Sequence, residues 1–201
     1  MYEAVYDGFV SRHLNRRISR PLARLLAHTP ATPNQVSIAS LGLALACFGC
    51  FAYGYYIAGA FLAQASSIAD GIDGDLARLK KMTSAFGGFM DAILDRYADS
   101  LILLGLTIWA AGDSGILTWV VGFWALSGTF TVTYTRARID VQSGKPPFDR
   151  GITSVASRDV RLLIVMVGGL LGQGLVTLVV LAVLTNTIVL LRLLAAHRIL
   201  K

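Results

Sequence analysis

The sequence predicts an all-α integral membrane protein with six transmembrane helices and an N-terminal amphipathic interfacial helix. Three observations lead there. Of 201 residues, 55% are hydrophobic and only 15% charged, and the mean hydropathy of +0.62 is too high for an ordinary soluble domain. At about 20 apolar residues per span, roughly 120 to 150 positions would be consumed by six or seven spans, leaving little for a separate soluble domain. The charges, finally, sit at the ends of apolar runs and on one side of them. The whole chain, 1–201, therefore reads as a single membrane domain, with a juxtamembrane helix over 2–28 and a transmembrane domain over 35–196. A secreted disulfide scaffold, a disordered chain and a two-domain soluble enzyme are all disfavoured.

Element by element, Tyr2 to His28 places Phe9, Val10, Leu14, Ile18, Leu22, Leu25 and Leu26 near one side, with Arg12, Arg16, Arg17, Arg20 and Arg24 largely on the other. That pattern predicts a basic helix lying in the headgroup region. Thr29-Pro30-Ala31-Thr32-Pro33-Asn34 breaks it, and Thr32 or Asn34 can cap the next helix. Spans are expected over 35–56, 58–78, 85–111, 115–138, 160–172 and 174–196, the last two divided at Gly172-Gln173-Gly174. More than thirty Arg-rich residues precede the first apolar run, so no secretory signal is read there and the start is expected to be retained. Cys47 and Cys50 lie within one apolar helix, where the C-x-x-C spacing reads as incidental.

The loops fix the expected orientation. With a cytoplasmic N-terminus, the 78–84 turn, the 139–159 loop and the C-terminus are cytoplasmic too, and they hold the Lys and Arg residues outside the spans. The opposite connections, near Tyr53–Tyr56, Gly112–Gly115 and Gly172–Gly174, contain none. This one-sidedness predicts six spans in a cell membrane with both termini and the active-site opening cytoplasmic. It also explains the net charge of +6 without a nucleic-acid partner; membrane lipids are the expected surface.

Polar residues inside such a domain carry its function. Asp70, Asp73, Asp75, Asp91, Asp95 and Asp99 fall in the second and third spans or at their cytoplasmic ends. At a bilayer centre each would cost about 2.5 to 3.5 kcal/mol, which packing alone does not justify. Asp70 and Asp73 are three residues apart and Asp91 and Asp95 four apart, so each pair shares a helix face. About a turn centred between Met82 and Thr83, the two pairs come level in an antiparallel hairpin. Four converging carboxylates repel unless a cation lies between them, and oxygen donors suit Mg²⁺ or Mn²⁺, one ion or two. Gly87 comes level with Arg78 one to two turns nearer the cytoplasm. Gly74 and Gly87 leave room there for a flat or extended ligand, with Arg78 available to phosphate. The alternative is that the glycines only allow close helix packing.

Asp70-x-x-Asp73-Gly74-x-x-Ala77-Arg78, then eight residues, Gly87, three residues, Asp91, three residues and Asp95 resembles the signature of the CDP-alcohol phosphotransferase family of membrane enzymes, with all eight fixed positions matching. The Pro33-Asn34-Gln35-Val36-Ser37 start of the first span and the six-span layout extend the resemblance over most of the chain. It implies transfer of a substituted phosphate from a CDP-alcohol to an acceptor hydroxyl, with release of CMP. Carried over, Asp70, Asp73 and Asp91 bind the metal; Asp95 completes a second site and is the candidate general base. Asp73, Gly74, Arg78, Ser84 and Gly87 shape the nucleotide pocket. A homodimer is also implied.

Asp7-Gly8-Phe9-Val10-Ser11-Arg12, Asn15-Arg16-Arg17-Ile18-Ser19 and Leu94-Asp95-Arg96-Tyr97-Ala98-Asp99 look like the inositol-phosphate-using branch, in particular the di-myo-inositol-phosphate-phosphate synthases. That branch implies CDP-inositol as donor, inositol phosphate as acceptor and a cytidylyltransferase, here a separate partner. CDP-diacylglycerol, as in a phosphatidylinositol phosphate synthase, is the alternative donor, so the acceptor is a phosphorylated polyol or a lipid-type alcohol. Arg136, Arg138, Arg158 and Arg161, two flanking each of two span ends, form the candidate acceptor-phosphate site, with Lys145 and Arg150 between them. Asp99 is expected to make a structural hydrogen bond opposite Ser66 and Ser67, Asp75 to be an interfacial charge, and Arg96 to pair with a carboxylate on another helix or to reach substrate. An Asp-lined cation channel or transporter would also fit the acidic residues, but not Gly74, Arg78 and Gly87 at this spacing. An intramembrane prenyltransferase, releasing pyrophosphate, fits Asp91-x-x-x-Asp95 only loosely.

Overall fold

The computed structural model describes residues 14–112, 115–143 and 155–200, together with the backbone but not the side chain of residue 199. Among them the structure is helical with no strand: α1 (Arg16–Ala27), α2 (Pro33–Ala52), α3 (Tyr56–Leu79), α4 (Ala85–Ala111), α5 (Gly115–Ser143), α6 (Arg158–Leu170) and α7 (Gly174–Ile199). Three of these, Pro33–Ala52, Gly115–Ser143 and Gly174–Arg198, are long and apolar enough to cross a membrane, as in a membrane protein. The helices α3 and α4 have the length, 24 and 27 residues, but carry the carboxylates. With 13 residues, α6 rises only about 20 Å.

Local chemistry sets the boundaries. Thr32 caps α2 through a reciprocal capping box with Gln35, and Pro33 follows at the first turn, satisfying amide donors that would otherwise be orphaned. The helix consequently begins at Pro33, two residues before the expected start, and ends at Ala52, four before the expected end. Ser84 caps α4 by accepting from the Gly87 amide at 3.0 Å. Gly172 takes φ +69° between α6 and α7, a left-handed turn that glycine adopts without a Cβ penalty. The expected break there is present. The fourth expected span, 115–138, continues as one helix to Ser143.

The core gathers Ala44, Cys47 and Phe51 of α2, Ala63 of α3, Ile102 and Leu106 of α4, Val165 of α6, and Leu178 and Leu181 of α7. Phe51 and Tyr56 both stack on Trp109, at centroid distances of 5.7 and 5.0 Å. Where α4 crosses α2, a Cβ on Gly105 would fall 2.8 Å from the Phe48 Cα, so the two backbones meet at a contact only glycine allows. The two helices joined by the 80–84 turn, α3 and α4, each pack chiefly against α2 and scarcely against each other.

Of the expected N-terminal helix over 2–28, positions 2–13 lie outside the described residues, and the rest forms α1 after Leu14 and Asn15. Its leucine stripe is uncovered by protein: Leu14, Ile18, Leu22 and Leu25 are exposed. The face turned to α3 is instead small and polar. Asn15 donates to Ser67 at 2.9 Å and accepts from Gln64 at 2.7 Å, while Arg16, expected on the solvated basic face, is buried.

Candidate active site

The hairpin of α3 and α4 brings three of the predicted carboxylates into one group. Asp70, Asp91 and Asp95 each offer an oxygen within 4.8 Å of the other two, all half-buried. Such a group of hard donors fits a divalent cation of the Mg²⁺ or Mn²⁺ kind and not a soft metal. Asp73, the fourth, is buried and accepts from the Ser37 hydroxyl of α2 at 2.6 Å. That bond ties one face of the acidic hairpin to the first turns of α2.

Beside the group opens a cavity of about 190 Å³, lined by Pro33, Asn34, Ser37, Asp73, Gly74, Ala77, Arg78, Met82, Thr83, Ser84, Gly87, Gly88 and Asp91. All five residues predicted for the nucleotide pocket, Asp73, Gly74, Arg78, Ser84 and Gly87, border it. Its walls include the first turns of both α2 and α4. Helix N-termini present partial positive charge to an anion, and the Arg78 guanidinium lies on the third side. A Cβ on Gly87 would lie 3.0 Å from Ser84 Oγ and 3.5 Å from Asn34 Oδ1, narrowing the cavity. The site thus sets a cavity walled by two helix starts and Arg78 beside a carboxylate group that could hold a cation, with Asp91 common to both.

The predicted basic residues divide. Arg158, at the start of α6, reaches into the acidic group: its Nη1 lies 3.1 Å from Asp70 and 3.4 Å from Asp95, and its Nε donates to Asp99 at 3.1 Å. Arg161 donates to the other Asp99 oxygen at 2.8 Å and to the Ala156 carbonyl at 2.8 Å. Arg136 is half-buried and Arg138 exposed, both on the C-terminal part of α5; Lys145 and Arg150 lie outside the described residues.

Three expectations need correction. Asp99 does not face Ser66 and Ser67: it is held by two guanidiniums from α6, while Ser66 meets Ser40 and Ser67 meets Asn15. A buried carboxylate requires such charge partners. Asp75 is no isolated interfacial charge, since it is largely buried between Arg16 at 2.5 Å and Arg78 at 2.6 Å. Arg96 pairs with its own neighbour Asp95 at 3.4 Å in place of a carboxylate on another helix. The sequence reading of the site also left out Ser37, which lies 36 residues before Asp73, a separation that carries no periodic signal.

Comparison with known proteins gives the site its context. Residues 30–196 match the CDP-alcohol phosphatidyltransferase family. A bifunctional IPC transferase and DIPP synthase from Rubrobacter xylanophilus is 45% identical over 192 residues, covering 96% of this chain but 43% of that protein. The chain therefore spans less than half the length of such bifunctional relatives. An archaetidylinositol phosphate synthase from Methanothermobacter thermautotrophicus is 35% identical, covering 80% of this chain and 76% of that one. Among solved structures, phosphatidylinositol phosphate synthase from Mycobacterium tuberculosis with CDP-DAG bound superposes with a TM-score of 0.75 at 27% identity, covering 90% of this chain and 94% of that one. The same enzyme in complex with manganese and citrate gives a TM-score of 0.72 at 25% identity, covering 89% and 88%. With its acidic hairpin and most of its length inside that match, the chain belongs to the CDP-alcohol phosphatidyltransferase family.

Proposed function

We propose that the chain is a metal-dependent CDP-alcohol phosphotransferase that moves a substituted phosphate from CDP-inositol to a hydroxyl of inositol phosphate, releasing CMP. One observation carries this: the carboxylate group of Asp70, Asp91 and Asp95 adjoins a cavity walled by two helix N-termini and Arg78. A nucleoside diphosphate would satisfy both halves at once.

In this reading Asp70, Asp73, Asp91 and Asp95 hold one or two divalent cations, Mg²⁺ or Mn²⁺. Such a cation, when bound, neutralises the diphosphate and the charge that develops on the departing CMP. Gly74 and Gly87 admit the nucleotide, Ser84 caps α4 at the cavity wall, and Arg78 pairs with phosphate. Asp95 accepts the proton of the attacking hydroxyl as the acceptor oxygen bonds to the β-phosphorus. The bond from that phosphorus to the bridging oxygen breaks, and its electron pair leaves with CMP. Positioning and charge neutralisation supply most of the rate. Arg158, beside Asp70 and Asp95, is the basic residue best placed to meet an acceptor phosphate, with Arg136 and Arg138 on α5 as outer contacts and Arg161 as the group that shares Asp99 with Arg158.

The same reading includes six spans in a cell membrane, α2 to α7, with α1 in the interface, both termini and the cavity mouth cytoplasmic, a homodimer, and a cytidylyltransferase supplying the donor. The exposed leucine stripe of α1 and the one-sided basic loops support it. A second reading, a phosphatidylinositol phosphate synthase using CDP-diacylglycerol, is favoured by the likeness to the mycobacterial enzyme with CDP-DAG bound, which the chain covers over 94% of its length. Purified protein with Mg²⁺, inositol phosphate and either CDP-inositol or CDP-diacylglycerol separates the two through CMP release and product mass. Absence of CMP with both donors refutes the function.

A further inference from the structure

Outside the acidic group, one charged chain links the N-terminal helix to the cavity. Arg16 of α1 donates from Nη1 to Asp75 Oδ2 at 2.5 Å and to the Gly71 carbonyl at 3.2 Å. Arg78 donates to the other oxygen, Asp75 Oδ1, at 2.6 Å. Asp75 is thus divided between a guanidinium buried under α1 and one that borders the cavity. Arg78 itself is 43% exposed, and a long exposed side chain holds no single pose without an anchor. Close by, Lys80 donates to the carbonyls of Thr29 and Ala31 at 2.5 and 2.7 Å, so the same end of α3 also holds the segment leading into α2.

The shared carboxylate gives the triad a purpose. Arg16 holds Asp75 from the α1 side, and Asp75 in turn fixes the pose of Arg78 at the cavity wall. We infer that Arg16 and Asp75 are positioning residues for the donor: docking of α1 on α3 through Arg16 sets the geometry with which Arg78 meets the donor's phosphates. This rests on the reading of the cavity as a nucleotide site. Neither residue is placed among the cavity-lining side chains, so a loss of nucleotide affinity on their substitution would travel through Arg78.

The test measures CDP binding to the full chain in detergent with Mg²⁺, alongside steady-state kinetics. Arg16→Gln is expected to weaken CDP about three- to tenfold and to raise the donor KM equally, with kcat and the acceptor KM unchanged. Arg17→Gln and Arg20→Gln, exposed on the same helix, remove the same charge without touching Asp75 and are expected to bind as wild type. In an Arg78→Gln background, Arg16→Gln is expected to add nothing. Equal CDP affinity for Arg16→Gln and wild type overturns the inference, as does the same loss with and without Arg78, or a fall in kcat and both KM values together. If Arg16→Gln does not fold, Asp75→Glu, which keeps the carboxylate but lengthens it, takes its place in the same cycle. A wild-type chain that binds no CDP refutes the nucleotide reading itself, whereas wild-type binding with unaffected variants refutes only the role of α1.

Discussion

Replacing Asp99 with Leu is expected to destabilise the protein by about 3 to 5 kcal/mol, the usual loss when one partner of a buried ion pair is removed. The structure places it at the severe end of substitutions. Asp99 is 3% exposed, with one oxygen 2.8 Å from Arg161 and the other 3.1 Å from Arg158. Arg161 is 4% exposed and would keep the Ala156 carbonyl as a neutral partner. Arg158 would keep Asp70 and Asp95, so the unpaired charge falls chiefly on Arg161. The companion variant Asp99→Leu/Arg161→Met removes that charge as well, and is expected to recover at least half of the loss, because apolar replacement of a whole buried pair is often neutral. Denaturation in mixed micelles, followed by helix signal for the three proteins, measures both quantities. A loss below about 1 kcal/mol for Asp99→Leu, or a double variant less stable than the single one, would refute the claim that this network is a desolvated charge cluster.

Gly105→Ala should cost about 1 to 3 kcal/mol, as overpacking does, because its Cβ would press on the Phe48 backbone; melting in the same micelles checks this, and an unchanged midpoint would mean that α2 and α4 separate freely. Ser37→Ala removes the 2.6 Å donor to Asp73 and should weaken CDP binding several-fold with a small stability loss of about 1 kcal/mol; calorimetric titration reads the first and denaturation the second. Gly87→Val fills the cavity beside Ser84 and Asn34 and should raise the donor KM at least tenfold with little change in the acceptor KM. Arg158→Ala should raise the acceptor KM and, by baring Asp70, Asp95 and Asp99, lower the midpoint as well; an effect on the donor KM alone would remove Arg158 from the acceptor site.

Much of the candidate site's geometry was legible in the sequence because its spacing is helical. Asp70 with Asp73 and Asp91 with Asp95 follow from periodicity, and the turn between them levels the two pairs. The start of α2 was legible for the same local reason, since Thr32 and Gln35 stand at capping-box spacing. What stayed hidden depends on contacts between helices distant in sequence. Asp99 looked like the next step of the acidic stripe, and nothing in its surroundings announces two arginines 59 and 62 residues onward. Arg16 was indistinguishable from its basic neighbours, because which residue of a polar face turns inward is decided by the facing helix. There Gly71 and Asp75 of α3 receive it. The Asp75 and Arg78 pair, by contrast, has i, i+3 spacing and was open to local reasoning.

The most direct test is whether CDP and a divalent cation bind only together. Titrating CDP into the wild-type chain and Asp91→Asn, each with Mn²⁺ and with a chelator, and following the Mn²⁺ resonance, reads both ligands at once. Tight CDP binding that requires Mn²⁺ in the wild type, with both ligands lost in Asp91→Asn, is the predicted result. Undiminished CDP binding in chelator, or Mn²⁺ held equally well without the Asp91 carboxylate, would contradict the account.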